Sequence, residues 1–182
     1  IYTLSLHDAL PIYSHIHNHI VYNSTHKITK NMTIEEMKGK MAQAKIDIER
    51  AINDDLPKRI GNRVVRMTKQ NFQDEGYFGK RWKEVKRRKG HNKRYKGSDT
   101  RRKILTGRTG NLGRSVKAKP EKASVTIYSD LPYSAAHNEG TATAGRGHRT
   151  RIPKRQFLGD HPKVQQATKE IIEKEISKIL NK

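Results

Sequence analysis

Cysteine is absent, which excludes a disulfide framework and thiolate chemistry. Acidic residues are scarce: 18 Asp and Glu stand against 39 Lys and Arg, so the formal net charge is +21. A surplus of this size implies an anionic partner, an acidic protein surface or a solvated basic loop. No apolar run approaches the roughly 20 residues that span a bilayer, so no membrane role is expected. No secretion signal is present either; the segment LSLHDALPI is short and polar, with no positive stretch before it. Apolar content is 32% over 182 residues, which allows one domain with a modest core.

The first residues, Ile1–Ile12 (IYTLSLHDALPI), match residue for residue what a common short-read sequencing adapter gives when translated. Residues 13–31 follow with no clear turn or cap. Residues 1–31 therefore read as translated adapter and leader, disordered, with Met32 as the start. A coding sequence upstream of Met32 in the native locus would refute this. His15, His17 and His19 alternate as ligands on a strand would, but they fall in that segment, so no metal site is assigned to them.

After Met32, Thr33 and Glu36 have capping-box spacing. Ile34, Met37, Met41, Ala44, Ile48 and Ile52 then form one apolar stripe of a helix. Asp54, Asp55 and Pro57 interrupt it, with an aspartate as cap for a second helix starting near Leu56. Leu56, Ile60, Val64 and Met67 line its buried side, followed by Phe72 and, at the expected helix end, Gly76.

Residues 79–103 carry thirteen bases and two acids, a local surplus of 11 that is over half the total. With only Trp82, Val85 and Tyr95 as apolar anchors, this reads as a mobile basic loop. Leu112–Lys119 and Ala123–Ser129 then read as a hairpin around a Pro-Glu turn. Tyr133–Asn138 forms one helical turn before Gly140, and Thr141–Arg151 a second basic loop. Asp160 caps a last helix striped by Val164, Thr168, Ile172, Ile176 and Ile179. The fold class is α+β: N-terminal helices, a small antiparallel sheet with a hairpin, a C-terminal helix and a long basic loop.

Catalytic patterns do not hold up. Gly107, Gly110 and Gly113 give neither a dinucleotide fingerprint nor a P-loop, and read as turn chemistry. His91-Asn92, His137-Asn138 and His148 hint at a metal-dependent nuclease that uses histidine and asparagine, but the carboxylates lie mostly on helices far along the chain. No enzyme is expected, and no cofactor.

Several short motifs run in a telling order. Phe72 and Gly76 close the helical region and Trp82 follows. Ile104-Leu105 leads into Thr109-Gly110-x-Leu112-x-x-Ser115. Tyr133, Ala135, His137 and Gly140 come next, and Ile152-Pro153-x-Arg155-x-Phe157-Leu158-Gly159 precedes the last helix. This ordered set resembles the phage virion morphogenesis family, the tail-completion proteins of Mu-like phages, from Met32 almost to the end. One departure is Gln156, where a proline is usual. The resemblance implies a single domain over residues 32–182 and a virion protein assembled in the bacterial cytoplasm. The implied work is tail completion or head–tail connection through protein–protein contacts in a homo-oligomeric ring, with tail or head connector proteins as partners and no active site. From a different class, a small basic nucleic-acid-binding protein is the second reading. On either reading Arg87, Arg88, Lys89, Arg101, Arg102, Arg149 and Arg151 are the candidate contacts to an anionic partner, DNA included.

Overall fold

The computed structural model describes residues 1–5, 32–89 and 97–181. The N-terminal histidines and residues 90–96 of the basic loop, His91 and Tyr95 among them, lie outside the described residues. The architecture is α+β: two long helices, a three-stranded antiparallel sheet, two short hairpins and a C-terminal helix.

Helix α1 (Ile34–Arg50) opens with the expected capping box. The Glu36 amide donates to Thr33 Oγ1 at 3.2 Å, and the Thr33 amide to Glu36 Oε2 at 2.8 Å. The apolar stripe of α1 is not sunk into the core, because no residue of this helix is buried. Ile34 and Met41 are 70% and 67% exposed.

The expected interruption is a single π-helical turn, Ala51–Asp55, running into helix α2 (Leu56–Gln73). The Leu56 amide reaches back five residues to the Ala51 carbonyl. That wider turn makes room for the Pro57 ring, which would collide with a carbonyl in tight α geometry. Asp55 makes no side-chain cap, because the helix never truly restarts. Leu56, Ile60, Val64, Thr68 and Phe72 face inward along α2, and Met67 is only partly covered. The helix stops at Gln73; the left-handed residue after it is Glu75, at φ 53°, not Gly76. Gly76 instead lies in a two-residue strand, β2 (Gly76–Tyr77), paired with β3 (Lys80–Arg81).

Strand β4 (Val116–Glu121) pairs antiparallel with β5 (Ser124–Ser129), as the hairpin reading requires, but the turn is displaced. Pro120 and Glu121 belong to β4, and the chain reverses at Lys122–Ala123 with Ala123 at φ 52°. Pro120 is tolerated because β4 is an edge strand. Leu112 sits in a helical turn, α4 (Asn111–Arg114), entered through Gly110 at φ 68°, a left-handed conformation natural to glycine. A shorter turn, α3 (Ser98–Arg101), precedes it.

Strand β1 (Tyr2–Ser5), in the segment expected to be disordered, pairs with the outer edge of β5. Its alternation places Tyr2 and Leu4 against the core and Thr3 outward, so it satisfies an otherwise open strand edge.

Helix α2 lies across β4 and β5. Val125 and Ile127 are fully enclosed beneath it with Leu56, Ile60 and Val64. Gly61 permits this close approach: a Cβ there would lie 2.8 Å from Ala118 Cβ and 2.9 Å from Val125 Cγ2. Helix α5 (Ser134–Glu139) is the expected turn before Gly140. The next segment, read as a loop, is a hairpin of β6 (Thr141–Ala144) and β7 (Thr150–Ile152). Helix α6 (Pro162–Leu180) closes the chain against α2 through Val164, Ile172 and Ile176. Its cap is His161, whose Nδ1 accepts from the Lys163 amide at 3.1 Å, and not Asp160.

Candidate functional site

The segment Ile152–Asp160 is gripped from four directions. Phe157 is 1% exposed and its ring lies 5.1 Å from that of Phe72, which meets Trp82 edge-on at 5.5 Å. Trp82 Nε1 donates to the Gln156 carbonyl at 2.6 Å. Asn138 Oδ1 accepts the amides of Phe157 (2.9 Å) and Leu158 (3.0 Å), and its Nδ2 donates to the Leu158 carbonyl at 3.1 Å. Asn71 is 3% exposed; it donates to the Phe157 carbonyl at 3.4 Å and accepts from the Phe78 amide at 3.0 Å. A non-repetitive segment has no ladder to satisfy its buried amides, so side-chain amides take that role.

Arg155 is only 8% exposed, and its Nε donates to the Lys83 carbonyl at 2.9 Å. Its amide donates to the His137 carbonyl, also at 2.9 Å. This arginine ties the end of β7 to the start of the first basic segment. Pro153 directs the chain into this junction, and Gly140 lets it pass: a Cβ on Gly140 would meet the Lys154 amide nitrogen at 2.7 Å. Tyr133 is exposed, with its ring edge-on to His137 at 6.0 Å.

The basic segment is fastened at both of its described ends. Arg87 donates to the carbonyls of Asp99 (3.1 Å), Arg102 (2.6 Å) and Lys103 (2.9 Å). Arg88 donates to both oxygens of Glu75 and to the Arg102 carbonyl. Glu75 also accepts the Ile104 amide. Burial works against the Glu75 carboxylate, yet the bonds from Arg88 and Ile104 hold it below the usual carboxylate range. Burial, then the neighbouring charges of Arg102 and Arg88, depress the Arg87 guanidinium. Arg102 pairs with Asp99 at 3.3 Å. Arg87, Arg88 and Arg102 are therefore spent on folding the loop back. Leu105, in the left-handed region at φ 61°, follows directly, with Ile104 buried beneath.

Lys89, Arg101, Arg149 and Arg151 face outward. Of the 104–115 motif, Leu112 is buried, and the Ser115 hydroxyl joins the Leu112 carbonyl (2.8 Å) to Ser129 Oγ (2.7 Å). Thr109 is exposed. Among the described residues no group of three His, Cys, Asp or Glu side chains is placed to hold a metal ion. Burial, then the charge of Arg155, lowers the His137 pKa, so the ring is neutral near pH 7. His148 Nδ1 lies 3.1 Å from the Thr143 carbonyl. His91 lies outside the described residues. No helix among the described residues is long and apolar enough to cross a membrane.

Sequence reasoning missed Asn71, Asn138 and Glu75. Asn138 is weighed only beside His137 in the discarded nuclease pattern, and Asn71 is passed over beside Phe72 on α2. A buried asparagine is signalled only by its place on an otherwise apolar face, and Asn71 carried that signal.

Searches of curated proteins and of solved structures gave no match. The family model for phage virion morphogenesis matches residues 31–177, which spans α1 through nearly all of α6 and includes every residue of the junction around Phe157. By that match the chain belongs to the phage virion morphogenesis family.

Proposed function

We propose that this chain completes the phage tail or joins it to the head, as a homo-oligomeric ring that meets tail or head connector proteins through its surface. Membership of a virion morphogenesis family supports the virion assembly role. The observation that carries the finer reading is where the motif residues are used. Phe72, Trp82, Leu112, Ser115, Arg155 and Phe157 are consumed by internal architecture, which leaves recognition to the exterior. Two exterior features stand out: the outward bases Lys89, Arg101, Arg149 and Arg151, and the half-uncovered apolar stripe of α1. Bases of this kind suit an acidic rim on a neighbouring subunit or connector, where complementary charge steers docking.

Deleting the gene from its phage tests this. Heads and tails that accumulate unjoined, or tails lacking an end structure, are expected by electron microscopy. Complete infectious particles from the deletion would refute it.

A nucleic-acid contact has support from the same four outward bases. Neutralising Lys89, Arg101, Arg149 and Arg151 together should abolish salt-sensitive duplex binding if DNA is the partner. Binding that is absent in the parent chain near physiological salt removes this reading.

A further inference from the structure

Among the described residues, Glu49, Asp54 and Asp55 are the side-chain carboxylates without a hydrogen-bond or ion-pair partner. All three are exposed, and they fall together across the end of α1 and the π-helical turn. An unmatched acid is conspicuous in a chain of net charge +21. Arg50 lies in the same segment, and Lys58 and Lys122 border the cleft beside Asp54, yet none of them pairs with these acids.

The opposite charge stands unmatched on the β6–β7 hairpin. No acid occurs between Gly140 and Gly159. Arg146, Arg149 and Arg151 are exposed and have no partner. The two patches belong to opposite ends of the core. The Ala123 amide donates to the Asn53 carbonyl at 3.4 Å, which sets the acidic turn at the β4–β5 reversal and before the first turn of α2. The chain below the arm docks at the other end, where Phe157 packs on Phe72 in the last turn of α2. The 18 residues of α2 separate these ends by about 27 Å.

We propose that the arginine arm of one copy docks on the Glu49–Asp55 segment of the next, forming the head-to-tail interface of the homo-oligomer. Different patches at opposite ends of one chain give a heterologous contact, the kind that builds rings. Phosphates would satisfy the arginines and leave the carboxylates unmatched, whereas a second copy satisfies both signs at once. Ile46 is 51% exposed, one turn before Glu49, and offers the arginine stems an apolar surface. This rests on the ring reading above and assigns its two faces.

The test is sedimentation velocity on the full chain. The parent should form species larger than a dimer as its concentration rises, and salt should weaken them. Arg149→Glu with Arg151→Glu should weaken association about a hundredfold, at about tenfold per reversed charge. Asp54→Lys with Asp55→Lys should do the same. An equimolar mixture of the two variants should restore association, because each arm then meets the opposite charge on the other chain. If the lysine variant does not fold, Asp54→Asn with Asp55→Asn should still weaken association about tenfold. A parent chain that is monomeric at every concentration overturns the proposal. So does association that either pair of substitutions leaves unchanged, or two folded variants that fail to restore each other. Loss of salt-sensitive duplex binding as the sole effect of the arginine variant assigns the arm to nucleic acid and overturns it too. Complete particles from the gene deletion would refute tail joining and leave this association standing, while failed restoration removes the interface and leaves tail joining standing.

Discussion

Replacing Gly61 with alanine should destabilise the fold although it improves the helix. Gly61 lies midway along α2, where alanine is favoured over glycine by about 0.8–1 kcal/mol. The new Cβ would stand 2.8 Å from Ala118 Cβ and 2.9 Å from Val125 Cγ2. Ala118 has no torsion with which to withdraw, and Val125 is 1% exposed on a strand with a restricted χ1. The helix must move off the sheet, and overpacking of this sort costs roughly 1–3 kcal/mol. Because both neighbours are rigid the upper value applies, and the net loss is about 2 kcal/mol. That lowers the melting midpoint by about 4–8 °C for a domain of this size. Gly39 on α1 is the control, since a Cβ there meets nothing within 4 Å. Gly39→Ala should raise stability by about 1 kcal/mol. Thermal and urea unfolding followed by far-ultraviolet circular dichroism measures both. A Gly61→Ala chain as stable as Gly39→Ala would refute the close-packed helix–sheet contact.

Asn138→Ala should cost about 2 kcal/mol by urea titration, because the Phe157 and Leu158 amides lose their acceptor. Asn138→Asp should also destabilise, because it turns the donor to the Leu158 carbonyl into an oxygen facing that carbonyl and the Glu139 carboxylate. His137 has a depressed folded pKa, so the unfolded chain takes up a proton first as pH falls. Its contribution is complete above about pH 6.5 and declines below it, and His137→Gln should remove that slope from a pH series of melting midpoints. Glu75 has a folded pKa below its unfolded value. Its stabilisation is present above about pH 4.3 and is lost as pH falls through the folded value. Glu75→Gln should therefore cost about 1–2 kcal/mol at pH 7, with the difference from the parent closing in acid.

The elements that the sequence made legible are those with one uninterrupted physical signal. The buried face of α2 follows from Leu56, Ile60 and Val64 at helical spacing, and β5 from its β-branched alternation. The Thr33–Glu36 box is a purely local interaction, so it is readable without the fold. Other features depend on partners distant in the chain. The stripe on α1 has the period of a buried helix, but period alone does not say how much of it a neighbour covers. The β6–β7 hairpin is short and exposed, and its glycines and bases mask any alternation. The basic segment looked mobile by composition; nothing local shows that Arg87 and Arg88 turn inward to carbonyls and to Glu75. Of the junction, Phe157 and Arg155 were legible as motif residues. Their partners were not, because Asn71 and Lys83 lie more than 70 positions away.

Trp82, Asn71 and Asn138 all take hold of main-chain atoms in the segment around Phe157. Recognition of that kind is indifferent to the side chain attached to the atom it uses. Position 156 contributes its carbonyl, and a proline would offer Trp82 the same oxygen. The Trp82 contact therefore does not fix the side chain at 156, although the Gln156 side chain separately reaches the Tyr77 hydroxyl. Asn138 has no such freedom, because there the side chain itself is the connector.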